Sequence, residues 1–129
     1  MTDHAQPFDL EVDVVVLGTG GSGLTAALAA HDFGAGEVLI LEKFGMIGGT
    51  SAMSGGMLWI PLNDQQAEQG VDDSFDEVVE YLDGLADEGH LDPEVLSAFL
   101  EEGPQMLRWF EEKTPVRLRL FEGFPDYQS

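Results

Sequence analysis

Apolar residues in this chain come first as a short unbroken run, then at helical spacing, then as a second short run. Residues 12–17 read VDVVVL and stop at Gly18, a β-branched stretch that suits a parallel strand covered on both faces. Leu24, Ala27, Leu28 and His31 then recur three and four residues apart. That spacing predicts a helix over 22–33, with Gly34 and Gly36 placed to stop it in the left-handed conformation. Residues 37–41, EVLIL, predict a second buried strand ending at Glu42. The three elements make a βαβ unit, for which a right-handed crossover is expected, and the fold class is α/β.

Beyond that unit the periodicity is lost. Residues 45–63 contain Gly45, Gly48, Gly49, Gly55 and Gly56 among Thr50, Ser51 and Ser54, and are expected to be loop. Ser74 with Glu77 forms a capping-box pattern ahead of Phe75, Val78, Val79, Leu82 and Leu85, and Asp92-Pro93 starts another helix. That last helix is expected to break at Gly103-Pro104 and resume through Met106, Leu107 and Phe110. Val116, Leu118 and Leu120 alternate with Arg117 and Arg119, predicting a half-buried strand over 116–121. No internal repeat or low-complexity tract interrupts the pattern.

Composition narrows the function classes. Of 129 residues, 43% are hydrophobic and 23% charged, the balance of a globular domain. The formal charge of -20 repels a nucleic-acid backbone, so no nucleic acid is expected as a partner. With no cysteine there is no disulfide framework and no thiolate chemistry. His4, His31 and His90 are too dispersed for a metal site, and none is expected. The tail over 1–11 lacks the features of a signal peptide, and no run approaches the roughly 20 apolar residues of a membrane span, so no integral membrane segment and a cytoplasmic location are expected. Acid pairs Glu101-Glu102 and Glu111-Glu112 read as helix surface, Asp72-Asp73 as a turn, and Arg117 and Arg119 as surface charge.

The chemistry sits in the first strand-to-helix turn. Gly18-Thr19-Gly20-Gly21-Ser22-Gly23 satisfies G-x-G-x-x-G between a strand and a helix, a Rossmann-like arrangement. Gly18 permits the tight turn, Gly20 lets the backbone approach a pyrophosphate, and Gly23 allows close helix packing. The helix start offers unpaired N–H groups and about half a positive charge. At physiological salt the screening length is about 8 Å, so distant carboxylates are muted while amides in contact are not. Glu42 lies about 20 residues past the glycines at the end of the second strand, where a carboxylate accepts from ribose hydroxyls and disfavours a 2′-phosphate. The residues leave NAD and FAD open.

A second glycine set, Gly48-Gly49-Thr50-Ser51-Ala52-Met53-Ser54-Gly55-Gly56, follows Lys43 where a plain nicotinamide dehydrogenase would continue into another helix. Small side chains and exposed amides of this kind can follow a long cofactor closely. With this set, the run DVVVLGTGGSGLTAALAA, then LILEK, then GGTSAMSGGMLWIPLN resembles the FAD-binding N-terminus of the fumarate reductase and 3-ketosteroid dehydrogenase flavoproteins. The resemblance is close over 12–63 and looser toward Tyr127. It implies FAD as cofactor, with Gly18, Gly20, Gly21, Ser22 and Gly23 at the pyrophosphate and Glu42 and Lys43 at the adenosine end. Gly49, Thr50, Ser51, Ser54, Gly55 and Gly56 would run along the diphosphate, ribityl chain and isoalloxazine edge.

Trp59, Ile60 and Pro61 after the glycines match the 3-ketosteroid dehydrogenase branch, as do GPQMLRWFEEKTPV and Pro125-Asp126-Tyr127 less sharply. On composition alone Trp59 and Trp109 are packing residues and Tyr127 a loop residue. The resemblance implies an oxidoreductase acting on CH–CH bonds, moving hydride from a substrate carbon to flavin, with a hydrophobic ketone such as a 3-ketosteroid as substrate and an external electron acceptor. Alternatives are a fumarate reductase or succinate dehydrogenase-type flavoprotein, whose dicarboxylate would need cations, and a non-catalytic FAD-binding fragment. Family members are several times longer, so residues 12–129 are expected to be the N-terminal portion of the FAD-binding domain, an incomplete domain whose remainder and capping domain are absent. On its own it is expected to be inactive, and the catalytic residues are unknown.

Overall fold

The computed structural model describes residues 8–86 and 91–124. The chain divides into two compact units, Met1–Met57 and Leu58–Ser129. His4, His90 and Pro125-Asp126-Tyr127 lie outside the described residues.

In the first unit, β1 (Val14–Leu17) and β2 (Val38–Leu41) form a two-stranded parallel sheet, joined through helix α1 (Gly21–Asp32). The register runs from Val14 opposite Val38 to Leu17 opposite Leu41. The expected βαβ order is present, with tighter bounds. β1 begins after Asp13, whose carboxylate accepts from the Glu37 amide at 2.9 Å and so occupies the ladder position that the sequence pattern assigned to the strand. At the far end, Gly18 donates to the Leu41 carbonyl at 2.7 Å, closing the pair just where the chain turns.

α1 ends by the expected device. Gly34 takes φ +81, its amide donates to His31, and the Ala35 amide reaches back to Ala30, so the last carbonyls are satisfied by a left-handed glycine stop. Ala27 is buried on the face toward the sheet, while Leu24 and His31 are exposed. The expectation of strands covered on both faces is not met among the described residues. Val14 and Val16 lie half-buried on the helix side, but Val15 is 50% and Leu17 78% exposed on the other.

Residues 45–63 are not loop throughout. A 3-10 turn spans Gly49–Met53, entered through Gly48 at φ +112. Helix α2 (Asp64–Glu68), unforeseen in the sequence pattern, opens the second unit's helices with a complete capping box, Asn63 accepting from the Gln66 amide and Gln66 accepting from the Asn63 amide. It is short and carries no apolar period, which is why hydrophobic spacing missed it. Helix α3 (Phe75–Leu85) is capped by Ser74 as expected, with Val78 buried.

Helix α4 (Pro93–Lys113) starts at the expected Asp92-Pro93 cap but does not break at Gly103-Pro104. Leu100, Gly103 and Pro104 are all buried, and a β-carbon on Gly103 would come 3.1 Å from Ile60 Cγ2. Packing against Ile60 therefore outweighs the hydrogen bond that proline removes. In the same turn the Gln105 side chain donates to the Glu101 carbonyl at 3.0 Å. Trp59 stacks on Phe99 at 6.1 Å and tilts against Tyr81 at 6.0 Å, the packing role expected of it. A two-pronged ion pair ties Arg108 to Asp64 on the surface, each drawing the other toward its charged form.

The strand expected over 116–121 is not formed among the described residues. Leu118 and Leu120 are half-buried and Arg117 and Arg119 exposed, so the alternation is real, but side chains replace the ladder. The Leu118 amide donates to Glu111 Oε1 at 2.6 Å and its carbonyl accepts from Gln65 at 2.9 Å. Arg117 is more than surface charge: its Nη1 donates to the carbonyls of Glu111, Thr114 and Val116, satisfying the C-terminal end of α4.

Two glycines of the first turn are held by different constraints. A β-carbon on Gly23 would collide with the Gly18 carbonyl, which is backbone and cannot swing aside, whereas one on Gly20 would have nothing within 4 Å. Gly23→Ala is expected to destabilise the fold by about 1–3 kcal/mol. Gly20→Ala, at φ -64 and ψ 172, is expected to stay within about 0.5 kcal/mol of the parent. Urea melts of the two variants check this, and equal losses would refute it.

Candidate functional site

The turn from β1 into α1 gathers every element of the first unit. Gly18 takes φ +92, a conformation that side chains resist, and so aims the chain away from β1 and into the helix. Gly20 is the N-cap of α1 and no side chain caps it. The amides of Ser22 and Gly23 lie in the first turn, where a helix has no carbonyls of its own to offer, and Leu24 is the first to bond back, to Gly20 at 3.0 Å. The helix head is therefore an anion-seeking surface beside an open backbone.

Around this head the second glycine set folds back. The Gly21 amide donates to Ser51 Oγ at 3.0 Å, and Gly49, at φ +53, is so close that a β-carbon on it would lie 3.2 Å from Gly20 Cα. Gly48 enters the 3-10 turn with its amide donating to Thr19 Oγ1 at 2.9 Å. Farther along, the Ser54 hydroxyl donates to the Ser51 carbonyl at 2.8 Å and accepts from the Gly56 amide at 3.1 Å. The hydroxyls of Ser51 and Ser54 thus shape their own segment. The side chains of Ser22, Lys43, Thr50 and Ser51 are exposed, as are Gly55 and Gly56.

The carboxylate closing β2 turns toward the glycines rather than away. Glu42 Oε2 accepts from the Thr19 amide at 2.9 Å and from the Thr19 hydroxyl at 2.5 Å, and Oε1 accepts from the Phe44 amide at 2.9 Å. The Thr19 hydroxyl, then the amides of Phe44, Thr19 and Lys43, pull the acid down to about 2. Each donor prefers the ionised form, so Glu42 is a fixed negative charge throughout the physiological range. Both carboxylate oxygens thus already accept from the protein, Oε2 from Thr19 and Oε1 from Phe44.

The first glycine set, Glu42 and the beginning of the second set are thus one constellation, while Ser54, Gly55 and Gly56 continue beyond it. Thr19 was not among the expected site residues. It is 5% exposed, the one buried polar residue among the described residues, and sits in a variable position of G-x-G-x-x-G, where a hydroxyl carries no pattern signal of its own. Among the described residues no group of three or more His, Cys, Asp or Glu could hold a metal, and no helix is long and apolar enough to cross a membrane.

The family described as "FAD binding domain" matches residues 13–127. The chain is 43% identical over 117 residues to the 4-oxocyclohexanecarboxylate 2-dehydrogenase of Sinomonas cyclohexanicum, covering 91% of this chain and 20% of that protein. It is 39% identical over 117 residues to the 3-oxosteroid 1-dehydrogenase of Mycobacterium tuberculosis, again 91% and 20%. With the urocanate reductase of Eggerthella lenta it shares 35% over 115 residues, 88% of this chain and 18% of that protein. The chain spans about a fifth of the length of these relatives. No solved structure matches it significantly. A family match over nearly the whole chain makes this chain a member of the FAD-binding domain family of flavin-dependent oxidoreductases.

Proposed function

We propose that this chain is the FAD-gripping, Rossmann-like portion of a dehydrogenase that takes hydrogen from the carbon–carbon bond beside a ring ketone, with a 3-ketosteroid as its substrate. The observation that carries the cofactor site is Gly20. Its backbone is one any residue could adopt, and among the described residues nothing beyond its chain neighbours lies within 4 Å of where a β-carbon would stand, so the described fold has no need of glycine there. A ligand approaching the backbone does. The amides of Ser22 and Gly23 would meet the diphosphate, with Gly18 turning the chain toward it, and Glu42, with Lys43 beside it, would take the adenosine end. Gly21 would act through Ser51, which accepts its amide, while Gly49, Thr50, Ser54, Gly55 and Gly56 would run toward the flavin.

FAD, when bound, supplies the two-electron chemistry. The work of this chain's own residues is to bind and orient. With FAD bound, the α1 head would neutralise the diphosphate locally in a chain of formal charge -20, and Glu42 Oε1 would accept from a ribose hydroxyl. The substrate reading rests on the relatives named for ring ketones, a 3-oxosteroid and a 4-oxocyclohexanecarboxylate. Abstraction of hydrogen beside a ketone suits both, because the carbonyl acidifies the neighbouring carbon. The similarity to a urocanate reductase favours a second reading, reduction of an unsaturated carboxylate. Arg117, which with Arg119 reads as surface charge, donates to three backbone carbonyls, which weighs against its holding a dicarboxylate.

Dye reduction by the purified full-length protein with 3-ketosteroids tests the substrate, and oxidation of a reduced dye by fumarate or urocanate without any steroid activity would overturn it. For the cofactor, Gly20→Val is expected to abolish FAD binding, measured by flavin absorbance of the purified variant, while melting nearly as the FAD-free parent does. A yellow variant would refute the site.

The acidity of Glu42 gives a third test. Its folded pKa of about 2 lies below the ordinary value of 4.5, so its contribution to stability is complete above pH 4.5 and is lost as pH falls toward 2. The gap in melting temperature between the parent and Glu42→Gln should hold constant from pH 8 to about 5 and shrink below 4.5. A gap that did not narrow in acid would show that the carboxylate charge is not what the clasp uses.

A further inference from the structure

We infer that Thr19 is a positioning residue: one buried hydroxyl orients the Glu42 carboxylate and seats the second glycine segment at the same time. This rests on the FAD reading above and concerns how the two ends of that site are held in one arrangement.

The direction of each hydrogen bond follows from chemistry. The Gly48 amide can only donate, so at 2.9 Å the Thr19 oxygen must accept from it. Having accepted there, the hydroxyl turns its own proton to Glu42 Oε2, 2.5 Å away, which as a carboxylate can only accept. The Thr19 amide adds a second donor to that oxygen at 2.9 Å. Both contacts on Oε2 come from this one residue, which fixes the orientation of the carboxylate. Oε1 accepts from Phe44 at 2.9 Å and is the oxygen that would take a ligand hydroxyl.

The same hydroxyl fixes a segment that carries no hydrophobic anchor of its own. Residues 45–56 are exposed apart from a half-buried Gly48, and Met46, Ile47 and Met53 lie 69%, 75% and 88% exposed. Their attachments to the turn are polar: Gly48 to Thr19 and Ser51 to Gly21. Thr19 thus joins positions 23 residues apart toward Glu42 and 29 apart toward Gly48. Bonds in such a chain polarise one another, so the two ends are coupled through this side chain.

The test is a set of FAD dissociation constants, read by quenching of flavin fluorescence, for the full-length protein and for Thr19→Val, Thr19→Ser, Glu42→Gln and the Thr19→Val/Glu42→Gln pair. Valine keeps the shape and loses the hydroxyl, and is expected to weaken FAD binding roughly tenfold to hundredfold. Serine restores the hydroxyl and should bind within about threefold of the parent. Because Thr19 acts through Glu42, the double variant should be clearly tighter than the product of the two single losses. Should Thr19→Val fail to fold by circular dichroism, Thr19→Ala takes its place under the same criteria. Valine binding within threefold of the parent, loss of binding in serine equal to that in valine, or multiplicative single losses would each overturn the inference while the parent still binds FAD. A parent protein that takes up no FAD would instead sink the reading of the site itself.

Discussion

The first unit depends on the ionised carboxylate of Glu42 and the donors that surround it. Two strands and one helix bury few side chains: Ala27 and Thr19 are the buried residues of this unit among those described. A core so thin leaves the relative placement of the glycine segments to polar contacts. Glu42 holds the turn after β1 to the end of β2 through Thr19, and Thr19 holds the second glycine set through Gly48. Charge-assisted bonds of this kind are shorter and stronger than neutral ones, and they supply order where hydrophobic burial does not.

The glycines divide by what requires them. Gly18 and Gly34 answer to backbone angle, at φ +92 and +81, and Gly23 to the Gly18 carbonyl pressing on its α-carbon. Gly49 answers to both, since it turns left-handed against Gly20. Gly20 alone in the first turn has neither a left-handed φ nor, among the described residues, a close neighbour where its β-carbon would stand. A motif that reads as one pattern is therefore several separate constraints.

The second unit obtains its order differently. Trp59, Tyr81 and Phe99 pack as rings, Pro61 and Leu100 are buried, and α4 runs straight through a buried proline because Gly103 gives Ile60 room. Side chains then finish what no strand partner supplies, with Gln65 and Glu111 taking the two backbone groups of Leu118.

What the sequence by itself determined was local. The βαβ order, the helix stop at Gly34, the caps at Ser74 and Asp92, and the acid about 20 residues past the glycines all rest on a residue's own conformational limits or on near neighbours, and these are legible in a string. The continuous α4, the missing strand over 116–121 and the 3-10 turn over Gly49–Met53 were decided by contacts between distant residues, which no spacing rule sees. So was the role of Thr19. A hydroxyl between two glycines can bond to water, to its own backbone or to a partner, and only the folded chain brings Glu42 and Gly48 to either side of it. Local propensity selects the elements, and the choice among a polar group's possible partners is made by tertiary structure, because that choice depends on which groups share a space after the chain has closed.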